Sequence, residues 1–246
     1  MRVIGIDTAT ATASVALIED EQIIAERFHP SSGAGHSAGL AGFKTNHAEI
    51  ILPLIESVMT AARVSLAQVS GMAVSIGPGS FTGLRIGLST VKGLAYGWGI
   101  PVVGVSTLLA QVARVADFEG VICSLVDARK NEVYAALFRR QENALTRLTE
   151  DLVAPAVNVI ELARTFLSGA PCLFIGDAVH KYEKLLLDGL GSGVRLCAGD
   201  SVPSPAASVA RLAMERFRNL DSDNLGSLVP VYLRPSEAEA KRYNRI

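Results

Sequence analysis

A glycine-rich segment at residues 77–83, GPGSFTG, lies between an apolar strand pattern and a helix pattern. Glycines in a strand-to-helix turn leave backbone N–H groups free to face an anion, and the N-terminus of a helix favours negative charge. Gly77, Pro78, Gly79 and Ser80 are therefore candidates for a phosphate or carboxylate site. The pattern is equally typical of a tight turn followed by close helix packing, because its spacing is neither Walker A nor GxGxxG.

Two acidic residues, Asp7 and Asp127, each end an apolar run, and Thr8 follows the first of them. If the two runs belong to halves that face each other, the carboxylates could hold a hydrated Mg²⁺ beside a nucleotide. Alternatively, each carboxylate accepts N–H groups of the turn in its own hairpin. Asp7, Thr8 and Asp127 complete the candidate nucleotide or anion site.

The histidines and cysteines do not form a metal-binding pattern. No two histidines have the short helical spacing of a zinc-binding pair. They are His29, His36, His47 and His180. The three cysteines lack CxxC spacing and fit a reducing cytoplasm, and Cys123 and Cys172 lie in apolar runs that predict buried thiols. We therefore predict neither a metal site nor a catalytic residue.

An internal repeat organises the elements that position these residues. Segments 3–18 and 123–138 align without a gap, 120 residues apart, and segments 73–77 and 172–176 resemble each other in the same order. Apolar spacing predicts further strands and helices in both halves. These cover residues 22–28, 47–63, 82–98, 144–153 and 157–167. Each half is thus predicted to form a mixed sheet flanked by helices, which is an α/β fold.

The repeat predicts two lobes, residues 1–105 and residues 106–246, the second with a C-terminal helix and a charged tail. Residues 31–46 are rich in glycine, serine and alanine, which predicts a surface loop. The formal net charge is −1, so the chain has no overall attraction for nucleic acid or anionic membranes. The start resembles a strand more than a secretory signal, and no apolar run approaches the length of a membrane helix. We expect a cytoplasmic protein that does not bind membranes.

Five segments together resemble the TsaB (YeaZ) family. They are RVIGIDTAT at 2–10, GPGSFTGLRIG at 77–87, VSTL at 105–108, DARKNEVY at 127–134 and PVYLR at 230–234. The resemblance implies a duplicated actin/hexokinase-type (ribonuclease H-like) fold. It also implies a non-catalytic paralogue of TsaD, the glycoprotease-like enzyme that transfers a threonylcarbamoyl group to the adenosine beside the anticodon of certain tRNAs. Such a subunit binds TsaD, is joined by the ATPase TsaE, reaches tRNA indirectly through the complex, and forms a homodimer in isolation.

The residues after the first acid depart from an active nucleotide site. Asp7 is followed by Thr8 without a glycine, and a Cβ there hinders the approach of phosphate. In the second half, Asp177 follows Gly176, and its charge would repel phosphate. We therefore expect no cofactor of its own, with ATP, ADP and Mg²⁺ bound only weakly or within the complex. The alternative is an independent ATP-dependent transferase or kinase of the same superfamily; a metalloprotease is disfavoured because the HxxxH motif is missing.

Four glycines leave a thin surface along the helix predicted at 82–98. They and a neighbouring arginine are interface candidates, namely Gly83, Arg85, Gly87, Gly93 and Gly97. Each glycine costs up to about 1 kcal/mol of helix propensity relative to alanine, so close packing is the expected reason for it. The packing partner is either the chain's own helix at 47–63 or another protein. The family resemblance favours contact with TsaD or a second copy.

Overall fold

The chain forms two units that differ from the predicted lobes. The computed structural model describes residues 1–29, 47–142, 144–167, 169–197 and 204–235. Unit 1 comprises residues 1–115 and 200–230, and unit 2 comprises residues 116–199 and 231–246. The predicted loop at 31–46 and the tail from residue 236 onwards lie outside the described residues.

Unit 1 is built on a five-stranded mixed sheet in the order β3-β2-β1-β4-β5. Its strands are β1 (Arg2–Asp7), β2 (Ala13–Glu19), β3 (Gln22–His29), β4 (Gly71–Gly77) and β5 (Val102–Ser106). The first three strands pair antiparallel as consecutive hairpins, whereas β4 and β5 pair in parallel beside β1. This topology places the end of β1, the end of β4 and the residues that follow them at the same edge of the sheet.

Within the described part of unit 1, four α-helices cover the two faces of this sheet. They are α1 (His47–Ala62), α2 (Phe81–Trp98), α3 (Thr107–Ala113) and α6 (Pro205–Arg218). Alternate residues of β1 point to opposite faces, so Ile4 packs in the cluster that includes α1 and α2, and Val3 packs in the cluster with α6. Helix α2 starts at the N-cap Ser80 and ends at Gly99, which adopts the left-handed conformation typical of a helix C-terminus.

The C-terminal helix α6 corrects the predicted lobe boundary, which assigned residues 106–246 to the second lobe. Helix α6 and residues 106–115 belong to unit 1. A Cβ on Gly5 of β1 would lie 2.0 Å from the carbonyl oxygen of Ala206, so the helix packs directly on the strand. The segment after α6 is held by Arg216, whose guanidinium pairs with Asp221 and Asp223. Apolar burial against the first sheet decides this placement, and the chain order gives no sign of it.

Unit 2 repeats the architecture with a sheet in the order β11-β10-β6-β7-β8, and β9 also pairs with β7. The strands are β6 (Gly120–Asp127), β7 (Glu132–Gln141), β8 (Ala144–Arg147), β9 (Leu152–Pro155), β10 (Cys172–Ile175) and β11 (Val194–Cys197). Helices α4 (Ala156–Leu167) and α5 (Val179–Leu190) pack on one face of this sheet. Cys123 and Cys172 are buried as predicted, and burial raises the pKa of Cys172 to about 12.

The predicted repeat is confirmed. Strands β1 and β2 correspond to β6 and β7, and β4 corresponds to β10, with the same parallel or antiparallel pairing in each sheet. Asp7 ends β1 and Asp127 ends β6. Gly77, at the end of β4, and Gly176, directly after β10, have the same backbone conformation, with φ values of 125° and 127° that favour glycine. No described helix has both the length and the apolar character needed to cross a membrane.

Candidate functional site

The first acid of the candidate site, Asp7, is buried inside unit 1. Its relative exposure is 0 %. The Ser75 hydroxyl, on the neighbouring strand β4, donates a hydrogen bond to Asp7 Oδ2. A hydrated Mg²⁺ needs an accessible carboxylate oxygen, and burial removes that access. Nothing in the sequence indicated this role for Ser75, because a single serine inside an apolar strand does not reveal which side chain it contacts.

The Gly-Pro-Gly-Ser turn is in contact with the loop that follows β1. Its Gly77–Pro78 peptide bond is cis. Ser80 N donates to the carbonyl oxygen of Ala9 over 2.7 Å, and Ser80 Oγ accepts from Gly83 N over 3.2 Å. A Cβ on Gly79 would lie 2.4 Å from that same Ala9 oxygen. The backbone N–H of Ser80, a donor of the kind that an anion would require, is therefore used in a hydrogen bond to the loop after β1.

Thr8 lies against the first two turns of α2. Its Oγ1 donates to the carbonyl oxygen of Gly83 over 2.8 Å, in a buried position. A Cβ on Gly83 would lie 2.0 Å from the Thr8 carbonyl oxygen, and a Cβ on Gly87 would lie 2.2 Å from Thr8 Oγ1. Gly83 and Gly87 are thus required for packing within unit 1. Their partner is the loop after β1, which neither sequence interpretation had considered.

The remaining interface candidates differ from Gly83 and Gly87. A Cβ on Gly93 or on Gly97 would meet no atom within 4 Å, and both positions are exposed. Arg85 is also exposed, with its guanidinium carbon 4.0 Å from the centre of the Phe81 ring. Beside them on α2, Tyr96 is 85 % exposed. The second half of α2 therefore presents a thin surface and a large aromatic side chain to solvent.

His47, the first residue of α1, was not predicted to take part in this region. Its Nε2 lies 3.1 Å from the carbonyl oxygen of Ala11, with the proton assigned to Nε2 by this contact. A Cβ on Gly83 would lie 3.2 Å from its Nδ1. His47 therefore connects the start of α1 to both the loop after β1 and the start of α2. Its position at a helix N-terminus was the available signal.

The second acid, Asp127, has different surroundings. Its Oδ1 accepts from Arg129 N over 3.0 Å, within its own hairpin, and pairs with Lys181 Nζ over 3.1 Å. Asp127 N donates to Asp177 Oδ1 over 3.0 Å. The hydrogen bond to Asp127 raises the pKa of Lys181, and desolvation, assisted by the Asp127 charge, raises the pKa of Asp177. The Asp127 carboxylate thus accepts a hydrogen bond from the turn of its own hairpin, which is the alternative that the sequence had also offered.

The described residues contain no cluster of three or more histidine, cysteine, aspartate or glutamate side chains that could hold a metal ion. In unit 1, the candidate residues take part in hydrogen-bonded packing between the loop after β1 and the helices α1 and α2. The accessible part of this region is the exposed side of α2.

Two sheets of matching topology, each flanked by helices, define a duplicated two-lobed α/β protein, as the internal repeat in the sequence predicted. The solved structure of YeaZ from Pseudomonas aeruginosa has the same fold, with a TM-score of 0.74 and 24 % identity over 94 % of this chain and 99 % of that one. The model of the family TsaD: tRNA N6-adenosine threonylcarbamoyltransferase matches residues 41–241.

Two curated relatives match almost the full length. The tRNA threonylcarbamoyladenosine biosynthesis protein TsaB of Bacillus subtilis is 30 % identical over 98 % of this chain and 97 % of its own length. The protein of the same name from Escherichia coli is 30 % identical over 98 % of both chains. The chain belongs to the TsaB (YeaZ) family, which confirms the resemblance found in the sequence.

Proposed function

We propose that this chain is a non-catalytic subunit in the biosynthesis of threonylcarbamoyladenosine in tRNA. The family membership supports the pathway, since the relatives carry it in their names. The observation that supports a non-catalytic role is the turn at Gly79 and Ser80. The backbone N–H of Ser80, which a phosphate would need as a donor, is hydrogen-bonded to the carbonyl oxygen of Ala9. The buried Asp7 supports the same conclusion.

The partner in this proposal is a TsaD-type threonylcarbamoyltransferase, with the ATPase TsaE joining the pair in the cytoplasm. Contact with tRNA is then indirect. The partner binds the exposed side of α1 and α2, where Leu52, Tyr96 and Trp98 present large apolar surfaces to solvent. Gly93 and Gly97 allow close approach, because neither position is occupied by this chain's own atoms. In isolation, a second copy covers the same surface.

A charge placed on this surface tests the proposed contact. Tyr96→Glu should weaken binding of the transferase subunit by about 30-fold or more, since a central aromatic contact contributes about 2 kcal/mol or more. Val157→Glu is the matched control, because Val157 is an apolar side chain of unit 2 that is 48 % exposed. Both variants should retain the wild-type circular dichroism. Equal binding by Tyr96→Glu, Val157→Glu and wild type would refute the contact.

A reconstituted modification assay tests the non-catalytic role. The transferase and the ATPase should form threonylcarbamoyladenosine in tRNA only when this chain is added. Asp127→Asn removes the charge of a carboxylate of the candidate nucleotide site, and it should support wild-type product formation. ATP hydrolysis by the purified chain alone, lost in the Asp127→Asn variant, would instead support the transferase or kinase alternative.

A further inference from the structure

The loop after β1, residues 8–11, contacts the first turns of two different helices. Thr8 Oγ1 donates to Gly83 O of α2, Ala9 O accepts from Ser80 N at the cap of α2, and Ala11 O accepts from His47 Nε2 of α1. Three hydrogen bonds from four consecutive residues thus connect one short loop to both helices. This segment is called the 8–11 loop below.

The contact with α2 determines where that helix lies along the strand. Thr8 packs against Gly83 and Gly87, which are one helical turn apart on the same face. A rotation of α2 by one residue, about 100°, would bring a side chain such as Leu84 into the position that Gly83 now occupies. Close packing leaves no room for this, because even a Cβ at Gly83 would overlap the Thr8 carbonyl oxygen. The 8–11 loop therefore fixes both the position of α2 along its helix axis and the rotation of α2 about that axis.

The equivalent loop of unit 2 closes on itself instead. Ala128 N donates to Glu132 O over 3.0 Å, and Glu132 N donates to Arg129 O over 2.9 Å. The counterpart of α2 in unit 2 is α5, which comes after β10, and it carries no glycine in its first two turns, from Val179 onwards. The packing of the 8–11 loop on a glycine surface is therefore a property of unit 1 alone among the described residues, and it lies beside the helices proposed to bind the partner.

We infer that the 8–11 loop holds α2 in the position that the partner recognises, and that Thr8 is a positioning residue for the partner-binding surface. The loop occupies the place where the sequence predicted an anion site, and it uses the same turn donor to hold a helix. This inference rests on the proposed function, because the surface it positions is the one proposed to bind the transferase. The exposed side chains of α2 make the contact, and Thr8 acts through them.

The experiment compares Thr8→Val with Thr8→Ser. Valine keeps the shape of threonine and removes the hydroxyl, whereas serine keeps the hydroxyl. Thr165→Val is the control, because Thr165 Oγ1 also donates to a helix carbonyl over 2.8 Å, that of Leu162 in unit 2. Amide hydrogen exchange across α2 reports the position and stability of the helix, and calorimetry reports affinity for the transferase subunit. Thr8→Ala replaces the valine variant if that protein does not fold.

We expect Thr8→Val to lose about tenfold in protection over the first two turns of α2, since it leaves the buried acceptor on Gly83 with one partner fewer. Affinity for the transferase should fall by a similar factor. Thr8→Ser should restore both quantities, and Thr165→Val should change neither. Unchanged protection of α2 in Thr8→Val would overturn the inference, and so would lost protection with wild-type affinity. If the wild-type protein binds no transferase, the proposed function fails, and the exchange measurement alone decides whether Thr8 positions α2.

Discussion

The pair Thr8 and Gly87 offers a quantitative test of the packing between the 8–11 loop and α2. In Gly87→Ala, the new methyl carbon would lie 2.2 Å from Thr8 Oγ1, closer than any normal contact. Such overpacking costs about 1–3 kcal/mol. The better helix propensity of alanine returns up to about 1 kcal/mol. We expect a net loss of about 1–2 kcal/mol in the free energy of unfolding of unit 1.

A second substitution should relieve this clash. The next nearest atoms to the new methyl group are Thr8 Cβ at 3.4 Å and Thr8 Cγ2 at 3.6 Å. Thr8→Ala removes the hydroxyl and Cγ2 and leaves only the ordinary contact with Cβ. The double variant Thr8→Ala with Gly87→Ala should therefore be more stable than the sum of the single effects predicts. We expect a coupling energy of about 1–2 kcal/mol, within the range for residues in contact.

Gly83→Ala is the matched variant that Thr8→Ala should not relieve. Its new methyl carbon would lie 2.0 Å from the Thr8 carbonyl oxygen, which every residue at position 8 carries. The helix must move or the strand end must move, so the loss should reach about 3 kcal/mol or more. Coupling between Gly83→Ala and Thr8→Ala should be close to zero.

Thermal or urea unfolding followed by fluorescence measures these effects. Trp98 is the single tryptophan of the chain and ends α2, so its emission reports the unfolding of unit 1. For a unit of this size, 1 kcal/mol corresponds to about 2–4 °C in Tm. Gly93→Ala is the control and should gain up to about 1 kcal/mol, because its methyl group meets no atom within 4 Å. If Gly87→Ala is as stable as Gly93→Ala, the close packing described here is refuted.

Two further predictions concern the ion pairs of Arg216 and the thiols. Arg216→Met should lower Tm by about 2–4 °C, since the half-exposed pairs that hold the segment after α6 contribute about 1 kcal/mol together. Burial opposes the shift, but hydrogen bonds from Arg216 and Gly104 N lower the pKa of Asp223 below its usual 3.8. The Tm difference from wild type should therefore persist above about pH 5 and shrink as the pH falls through that low pKa; a constant difference down to pH 3 would contradict it. In the native protein, a thiol reagent should modify at most the half-buried Cys197, because Cys123 and Cys172 are buried and the pKa of Cys172 is raised to about 12. After unfolding, the reagent should modify all three thiols.

Local patterns in the sequence were sufficient to predict the repeat and most of its elements. Apolar runs predicted the strands that end at Asp7 and Asp127. Helical spacing predicted α1, and the glycine-rich turn indicated the start of α2, each within one residue of its observed bounds. The gapless offset of 120 residues predicted equivalent strand ends, because a duplicated unit preserves its order of elements. The family segments, spread over the whole chain, predicted the fold class for the same reason.

Other features depend on contacts between residues far apart in the chain, and no local pattern contains them. Helix α6 follows unit 2 in the chain, yet it packs on the sheet of unit 1, where apolar residues such as Val3 and Ala73 needed cover. The boundary predicted after residue 105 was wrong because chain order does not report which apolar face remains open.

The four glycines of α2 show the same division between sequence and tertiary structure. Their types and spacing in the sequence predicted a thin helix surface, and that surface is present. Only the tertiary structure separated Gly83 and Gly87, which pack against Thr8 75 residues or more away, from Gly93 and Gly97, which face open space. The physical reason is that the sequence shows only that a glycine has no side chain. Which atom fills the space beside it depends on how the strands and helices pack.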